Sequence, residues 1–128
     1  MKYVNIDTEA KKKSNAHYSA AVVHNGIVYV SGQLPINPKT GAPVEGGVKD
    51  QTRAVFRNLT EILAKAGSSR ENILRTTAYI PDVSIWSEVN EVYAEYFGSH
   101  KPARTIVPTT ELHYGCSIEI DAIAFIDE

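Results

Sequence analysis

The stretch YSAAVVHNGIVYVSGQ, residues 18–33, predicts a β-hairpin. Two runs rich in alanine, valine, isoleucine and tyrosine, 20–23 and 27–30, flank an Asn25-Gly26 pair. Both turn residues tolerate the positive φ angles of a two-residue hairpin turn, so Asn-Gly between such runs is a strong short-range signal. Ser31-Gly32 is expected to end the second strand. The chain therefore contains an antiparallel strand pair.

Downstream of the hairpin, helical and extended patterns follow one another. Residues 50–66 predict a helix because apolar side chains recur every three or four positions, and Gly67 follows as a left-handed C-cap. Residues 85–97 predict a second helix with Ser84 as its N-cap. The apolar stripes consist of Val55, Leu59, Ile62, Leu63 and Ala66 in the first helix, and of Trp86, Val89, Asn90, Tyr93, Tyr96 and Phe97 in the second.

Three further strands are predicted over 74–80, 104–109 and 116–126. In the last strand the even positions are apolar throughout, whereas the odd positions are polar at first and become apolar at Ile123 and Phe125. This element order favours a single two-layer α+β domain over 1–128, with both helices on one face of the sheet. The mixed character of the other face is compatible with packing against further subunits.

The composition sets the class of protein. A chain of 128 residues, 43% hydrophobic and 22% charged, can bury a core as one globular domain. Its net charge of −2 provides no positive field for nucleic acid or an anionic membrane. The single cysteine, Cys116, forms no internal disulfide, and we find neither a signal peptide nor an apolar run of the ~20 residues that span a bilayer. We therefore expect a cytoplasmic protein.

Two charged residues in predicted strands are candidates for chemistry. Arg104 could clamp a carboxylate through its planar donors, or it could simply face solvent at a strand end. Glu119 lies mid-strand, where glutamate is depleted, and could orient or deprotonate water, or lie on a wet sheet face. Asn90 interrupts an apolar stripe, which predicts a buried amide that holds a loop or contacts a ligand. Tyr18 and Gly32 have ordinary packing and turn interpretations.

Other kinds of site find no support in the sequence. The histidines do not have zinc-ligand spacing, no glycine-rich phosphate loop is present, and no nucleophile elbow occurs. Three lysines at 11–13 are not continued by a basic stripe, so nucleic-acid binding is not expected.

Five segments together resemble the RidA (YjgF) family over nearly the whole chain. The resemblance rests on their joint order and spacing. The segments are YSAAVVHNGIVYVSGQLPINPKTG (18–41), QTRAVFRNLTEILAKAG (51–67), VNEVYAEYF (89–97), KPART (101–105) and SIEIDAIA (117–124).

This resemblance implies a chorismate-mutase-like α+β fold, assembled as a homotrimer with sites in clefts between subunits. It also implies hydrolysis of reactive enamines and imines, such as 2-aminoacrylate, to 2-keto acids and ammonia without a cofactor. The matching positions are Arg104 for the substrate carboxylate, Glu119 for water and protons, Tyr18 as a further catalytic residue, and Gly32 and Asn90 for binding.

The sequence departs from the family pattern near this implied cleft. Ala16-His17 stands where many members have Gly-Pro, and Ile106, a predicted binding position, stands where many have cysteine. The loop at 110–115 also differs, so His17, His113 and Tyr114 could line a different pocket. Two alternatives stay open: a non-catalytic trimer that binds or senses a small carboxylate metabolite, and an endoribonuclease.

Overall fold

A computed structural model describes residues 1–6 and 16–127 as two helices packed on a six-stranded mixed sheet. The helices are α1 (Val48–Ala66) and α2 (Trp86–Phe97). The strands are β1 (Lys2–Val4), β2 (Ala21–His24), β3 (Ile27–Gln33), β4 (Ile73–Ile80), β5 (Ala103–Pro108) and β6 (Glu119–Phe125). Their order in the sheet is β1-β2-β3-β6-β4-β5, and only β4 and β5 run parallel. The predicted α+β class is confirmed.

The predicted hairpin is confirmed, with one correction. Asn25 and Gly26 have φ angles of 52° and 75°, as a two-residue hairpin turn requires. The second strand does not end at Ser31-Gly32, because β3 continues to Gln33 through an irregular register against β6. Such irregularities re-aim local side chains. Strand β1, which pairs with β2 through Tyr3 and Val22, was not predicted.

The core lies between the helices and one face of the sheet. The apolar stripe of α1 is buried, and Gly67 caps that helix at φ 89° as predicted. The even positions of the last strand are also buried from Cys116 to Ala124. On the opposite face, here called the open face, Glu119 and Asp121 precede the half-buried Ile123 and Phe125, and Tyr29 beside them is 49% exposed. The predicted change from polar to apolar along this face is therefore present.

Two predictions about the second helix were wrong. Ser84 does not cap it: Asp82 accepts a hydrogen bond from the Ser84 backbone N–H and starts a separate 3-10 turn, Val83–Ile85. Asn90 is not a buried amide but is exposed, and Trp86 is 42% exposed. The buried face of α2 is formed by Val89, Val92, Tyr93 and Phe97. One edge of α2 therefore remains free to frame a site.

None of the described helices is both long enough and apolar enough to cross a membrane. The lysines at 11–13 lie outside the described residues.

Candidate functional site

Arg104 lies on β5, at one edge of the sheet, beneath the exposed side of α2. Its Nη1 donates a hydrogen bond of 2.9 Å to Oδ1 of Asn90. The guanidinium carbon lies 4.8 Å from the ring centroid of Tyr93 and 5.2 Å from that of Trp86, within the range of cation–π attraction. We call this group the guanidinium site. Its neutral surroundings hold the arginine without cancelling its charge.

Buried contacts hold the guanidinium site rigid. Tyr93 shares a 2.9 Å hydrogen bond with the hydroxyl of the fully buried Thr76, and burial raises the pKa of Tyr93 to about 12. The ring of Phe56 on α1 lies edge-to-face with Tyr93, at 5.1 Å, and packs α2 against α1. Ile106, two residues after Arg104, packs against the same core and is half-buried. It therefore supplies an apolar surface beside the guanidinium.

Glu119 forms the second group, together with Gly32 on β3. An added Cβ at Gly32 would lie only 2.5 Å from Oε2 of Glu119, so the carboxylate rests directly against the glycine backbone. Any side chain at position 32 would push the carboxylate away. The glycine of the predicted site therefore has a physical role, which is to leave room for Glu119.

The surroundings of Glu119 favour its protonated form. Burial raises the pKa of this carboxyl, the negative charge of Asp121 raises it further, and His113 lowers it in part. Asp121 also accepts a hydrogen bond of 3.4 Å from Tyr79 and raises the pKa of that phenol. A half-buried carboxyl with a raised pKa can exchange protons closer to neutral pH than a free one.

A cavity of about 290 Å³ opens beside the Glu119 group. Tyr18 and Gly32 line it together, as do His113 and Tyr114 from the loop that departs from the family pattern. His17, the other residue singled out there, is exposed. Tyr18 and Gly32 thus line one cavity and Glu119 rests against Gly32, and we call these residues with the cavity the carboxylate site.

The side chains of Arg104 and Glu119 lie on opposite faces of the sheet. Arg104 is in register with Thr76, which is buried under the helices. Glu119 is in register with Tyr79 on the open face, and its neighbours Ile118 and Ile120 point into the core. Side chains alternate between the two faces of a strand. The predicted site residues therefore form two separate groups within one chain.

Sequence reasoning missed the partners that hold Arg104. Trp86 and Tyr93 were assigned to an apolar stripe, although an aromatic residue four positions before Asn90 and another three after it lie on the same helix face. Helical spacing groups these three side chains in the predicted stripe. It could not show that Arg104 lies beneath them, because that depends on the parallel pairing of β4 with β5.

Comparison with known proteins agrees with this arrangement of elements. The family model described as Endoribonuclease L-PSP matches residues 8–126. The chain belongs to this family, which is the YjgF/RutC/RidA family. The member from Pyrococcus horikoshii, a RutC family protein, is 44% identical over 94% of this chain and 95% of its own.

Further relatives within the YjgF/RutC/RidA family extend the likeness to a named activity and a solved structure. The human 2-iminobutanoate/2-iminopropanoate deaminase is 38% identical over 84% of this chain and 78% of its own. The crystal structure of a member of the conserved Rid protein family from Yersinia pestis is 37% identical and superposes with a TM-score of 0.90, covering 98% of both chains. Imine deaminases therefore occur among its relatives.

Proposed function

We propose that this protein hydrolyses 2-imino acids and their enamine tautomers to 2-keto acids and ammonia. The observation that carries the proposal is the state of Arg104. An amide oxygen and two aromatic rings hold its guanidinium, and no carboxylate within residues 1–6 and 16–127 lies at ion-pair distance from it. A rigid, uncompensated guanidinium is suited to bidentate binding of a substrate carboxylate. The deaminase relatives support the same conclusion.

The reaction requires only binding of the substrate and transfer of protons. An enamine first takes up a proton on carbon and becomes an imine, whose C=N carbon is electrophilic. Glu119 accepts a proton from water as the water oxygen adds to that carbon. It returns that proton to nitrogen, which gives a carbinolamine. Glu119 then takes the hydroxyl proton of the carbinolamine and passes it to the amino group, so that the C=O bond forms, the C–N bond breaks and ammonia leaves. The raised pKa of Glu119 suits both directions of transfer. Tyr18 and Gly32 hold the substrate and the carboxylate in place, and Asn90 and Ile106 complete the carboxylate clamp.

The proposal requires a second copy of the chain. Arg104 and Glu119 lie on opposite faces of one sheet, so one small substrate cannot reach both within a chain. We propose a homotrimer in which the guanidinium site of one subunit faces the carboxylate site of the next. The partly apolar open face, with Tyr29 and Phe125, favours such packing. Light scattering after size-exclusion chromatography should give about three times 14.1 kDa.

The decisive experiment measures imine hydrolysis directly. A pyridoxal enzyme generates 2-aminoacrylate in the presence of semicarbazide, and the loss of semicarbazone reports faster hydrolysis. We expect the wild type to accelerate imine hydrolysis. Arg57→Ala, which replaces an exposed arginine on α1 and serves as the matched control, should accelerate it as well. Arg104→Ala should remove the acceleration and keep the assembly. Wild-type turnover in Arg104→Ala would refute the clamp.

The same material tests the alternative of a metabolite-binding protein. In that case calorimetry would detect a 2-keto acid bound by the wild type but not by Arg104→Ala, while neither protein accelerated hydrolysis. Glu119→Gln separates the roles further. Loss of turnover with binding retained assigns Glu119 to catalysis, whereas loss of binding with turnover per bound substrate retained assigns it to the binding surface.

A further inference from the structure

The turn His113–Gly115 at the mouth of the cavity holds a residue in an unusual conformation. Tyr114 has φ 60° and ψ 19°, the left-handed region that side-chain-bearing residues seldom occupy. Its side chain is 63% exposed, so core packing does not explain the conformation. Backbone hydrogen bonds from Gly115 and Cys116 to the carbonyls of Leu112 and His113 close the turn. Strain of this kind, where packing does not account for it, points to a function at the site.

The conformation of the turn places two rings side by side. The centroids of His113 and Tyr114 are 3.8 Å apart, and we call these residues the ring pair. Both line the cavity together with Gly32, against which the Glu119 carboxylate rests. His113 lies close enough to Glu119 to influence its ionisation. The ring pair therefore shares a cavity with the glycine that supports the Glu119 carboxylate.

The remainder of the cavity wall is largely apolar. Leu34, Ile36 and Pro38 contribute from the loop after β3, and Ile62 contributes from α1. Asn58 donates hydrogen bonds of 3.2 and 2.9 Å to the carbonyls of Leu34 and Ile36 and so fixes that loop on the helix. A cavity of about 290 Å³ with such a fixed apolar wall can hold a side chain larger than the methylene of 2-aminoacrylate.

We propose that the ring pair makes this enzyme selective for 2-imino acids with a planar aromatic side chain. The inference rests on the proposed function, because that function places the substrate carboxylate at Arg104 and its reacting carbon at Glu119. The substrate side chain then extends into the cavity, against the exposed ring of Tyr114. Stacking on that ring should favour an aromatic over an aliphatic side chain by about 2- to 12-fold.

The test compares the binding of 2-keto acids, the products, by calorimetry. We use phenylpyruvate, 4-methyl-2-oxopentanoate as an aliphatic compound of similar length, and pyruvate. The variants are Tyr114→Asn and Tyr114→Gly, since both replacements tolerate positive φ and preserve the turn. We expect the wild type to bind phenylpyruvate most tightly. Both variants should lose that preference, so that they bind phenylpyruvate and 4-methyl-2-oxopentanoate about equally, and they should melt no lower than the wild type.

The outcomes test the proposed selectivity separately from the proposed deaminase function. Equal affinity of the wild type for phenylpyruvate and 4-methyl-2-oxopentanoate would overturn the inference, as would a preference that survives in both variants. In either case normal hydrolysis of 2-aminoacrylate would leave the proposed function intact. If the wild type neither binds a keto acid nor accelerates hydrolysis of 2-aminoacrylate, the proposed function itself fails, and the selectivity fails with it.

Discussion

Two inactive variants of this protein should restore activity when their subunits are mixed. Arg104 on β5 and Glu119 on β6 are separated by two strand spacings, which is about 9.6 Å across the sheet. Their register positions on β4 are three residues apart, which is about 10 Å along the strands. Their Cα atoms are therefore separated by about 14 Å, and their side chains leave opposite faces. The carboxylate and imine carbon of a 2-imino acid are directly bonded. One chain cannot supply both groups to the same substrate.

The expected recovery follows from counting clefts. In an assembly mixed at equal amounts from Arg104→Ala and Glu119→Gln subunits, each cleft takes one group from each of two neighbours. About a quarter of the clefts then contain both native residues, so activity should return to about 25% of the wild-type value. A second mixture, of wild type with the Arg104→Ala/Glu119→Gln double variant, should also give about 25%. A site contained within one chain predicts none in the first mixture and about half in the second.

The assay needs proof that the subunits have exchanged. The two variants carry tags of different mass, are co-expressed in equal amounts, and are purified without selection for mixed assemblies. Native mass spectrometry then gives the proportions of mixed assemblies, and 2-aminoacrylate hydrolysis is measured per cleft. Absence of recovery in verified mixed assemblies would refute the shared cleft.

Three further predictions concern single substitutions. Gly32→Ala places a Cβ 2.5 Å from Oε2 of Glu119 and therefore displaces the carboxylate. This substitution should lower kcat by about 10- to 100-fold and leave the melting temperature unchanged. An unaltered kcat would mean that the carboxylate needs no fixed position. Activity needs ionised Glu119, so the acid limb of the pH profile of kcat/KM should lie above the ordinary carboxyl pKa of 4.5. Asp121→Asn removes a negative neighbour and should move this limb to lower pH. An acid limb that does not move in Asp121→Asn would assign the titration to another group. Thr76→Val removes the buried partner of the Tyr93 hydroxyl and should lower the free energy of unfolding in urea by about 1–3 kcal/mol, whereas no change would show that water replaces the partner.

Local sequence signals predicted most of the fold. Asn25-Gly26 determines the conformation of its own turn, and the stripe ending at Ala66 with Gly67 after it determines the first helix. These features depend on neighbours a few residues away. Strand β1 depends instead on pairing Tyr3 with Val22, which is nineteen positions away with no Asn-Gly hairpin signal between them. Propensity alone does not identify such a partner.

The candidate site was predictable in its residue types but not in its arrangement. The alternation in the last strand placed Glu119 away from the core, as the structure confirms. Nothing in the local pattern indicated the face on which Arg104 lies, because the six residues of β5 are all at least partly exposed. The wrong assignment of Asn90 has the same origin. Helical periodicity describes α2 correctly but cannot show that this part of the helix reaches past the core at the sheet edge.

The position of Arg104 on an edge strand explains how this fold can hold both Arg104 and Glu119 without burying an unpaired charge. On an interior strand, an arginine on the helix face would lie among residues such as Ile120 and Ala122, where an unpaired guanidinium is very costly. On β5 it is only half-buried, and Asn90 satisfies one donor while Trp86 remains partly open to an incoming ligand. Glu119 avoids the same cost on the open face. Within one chain the two groups are therefore accessible but far apart, and under the proposed trimer catalysis depends on assembly as well as on folding.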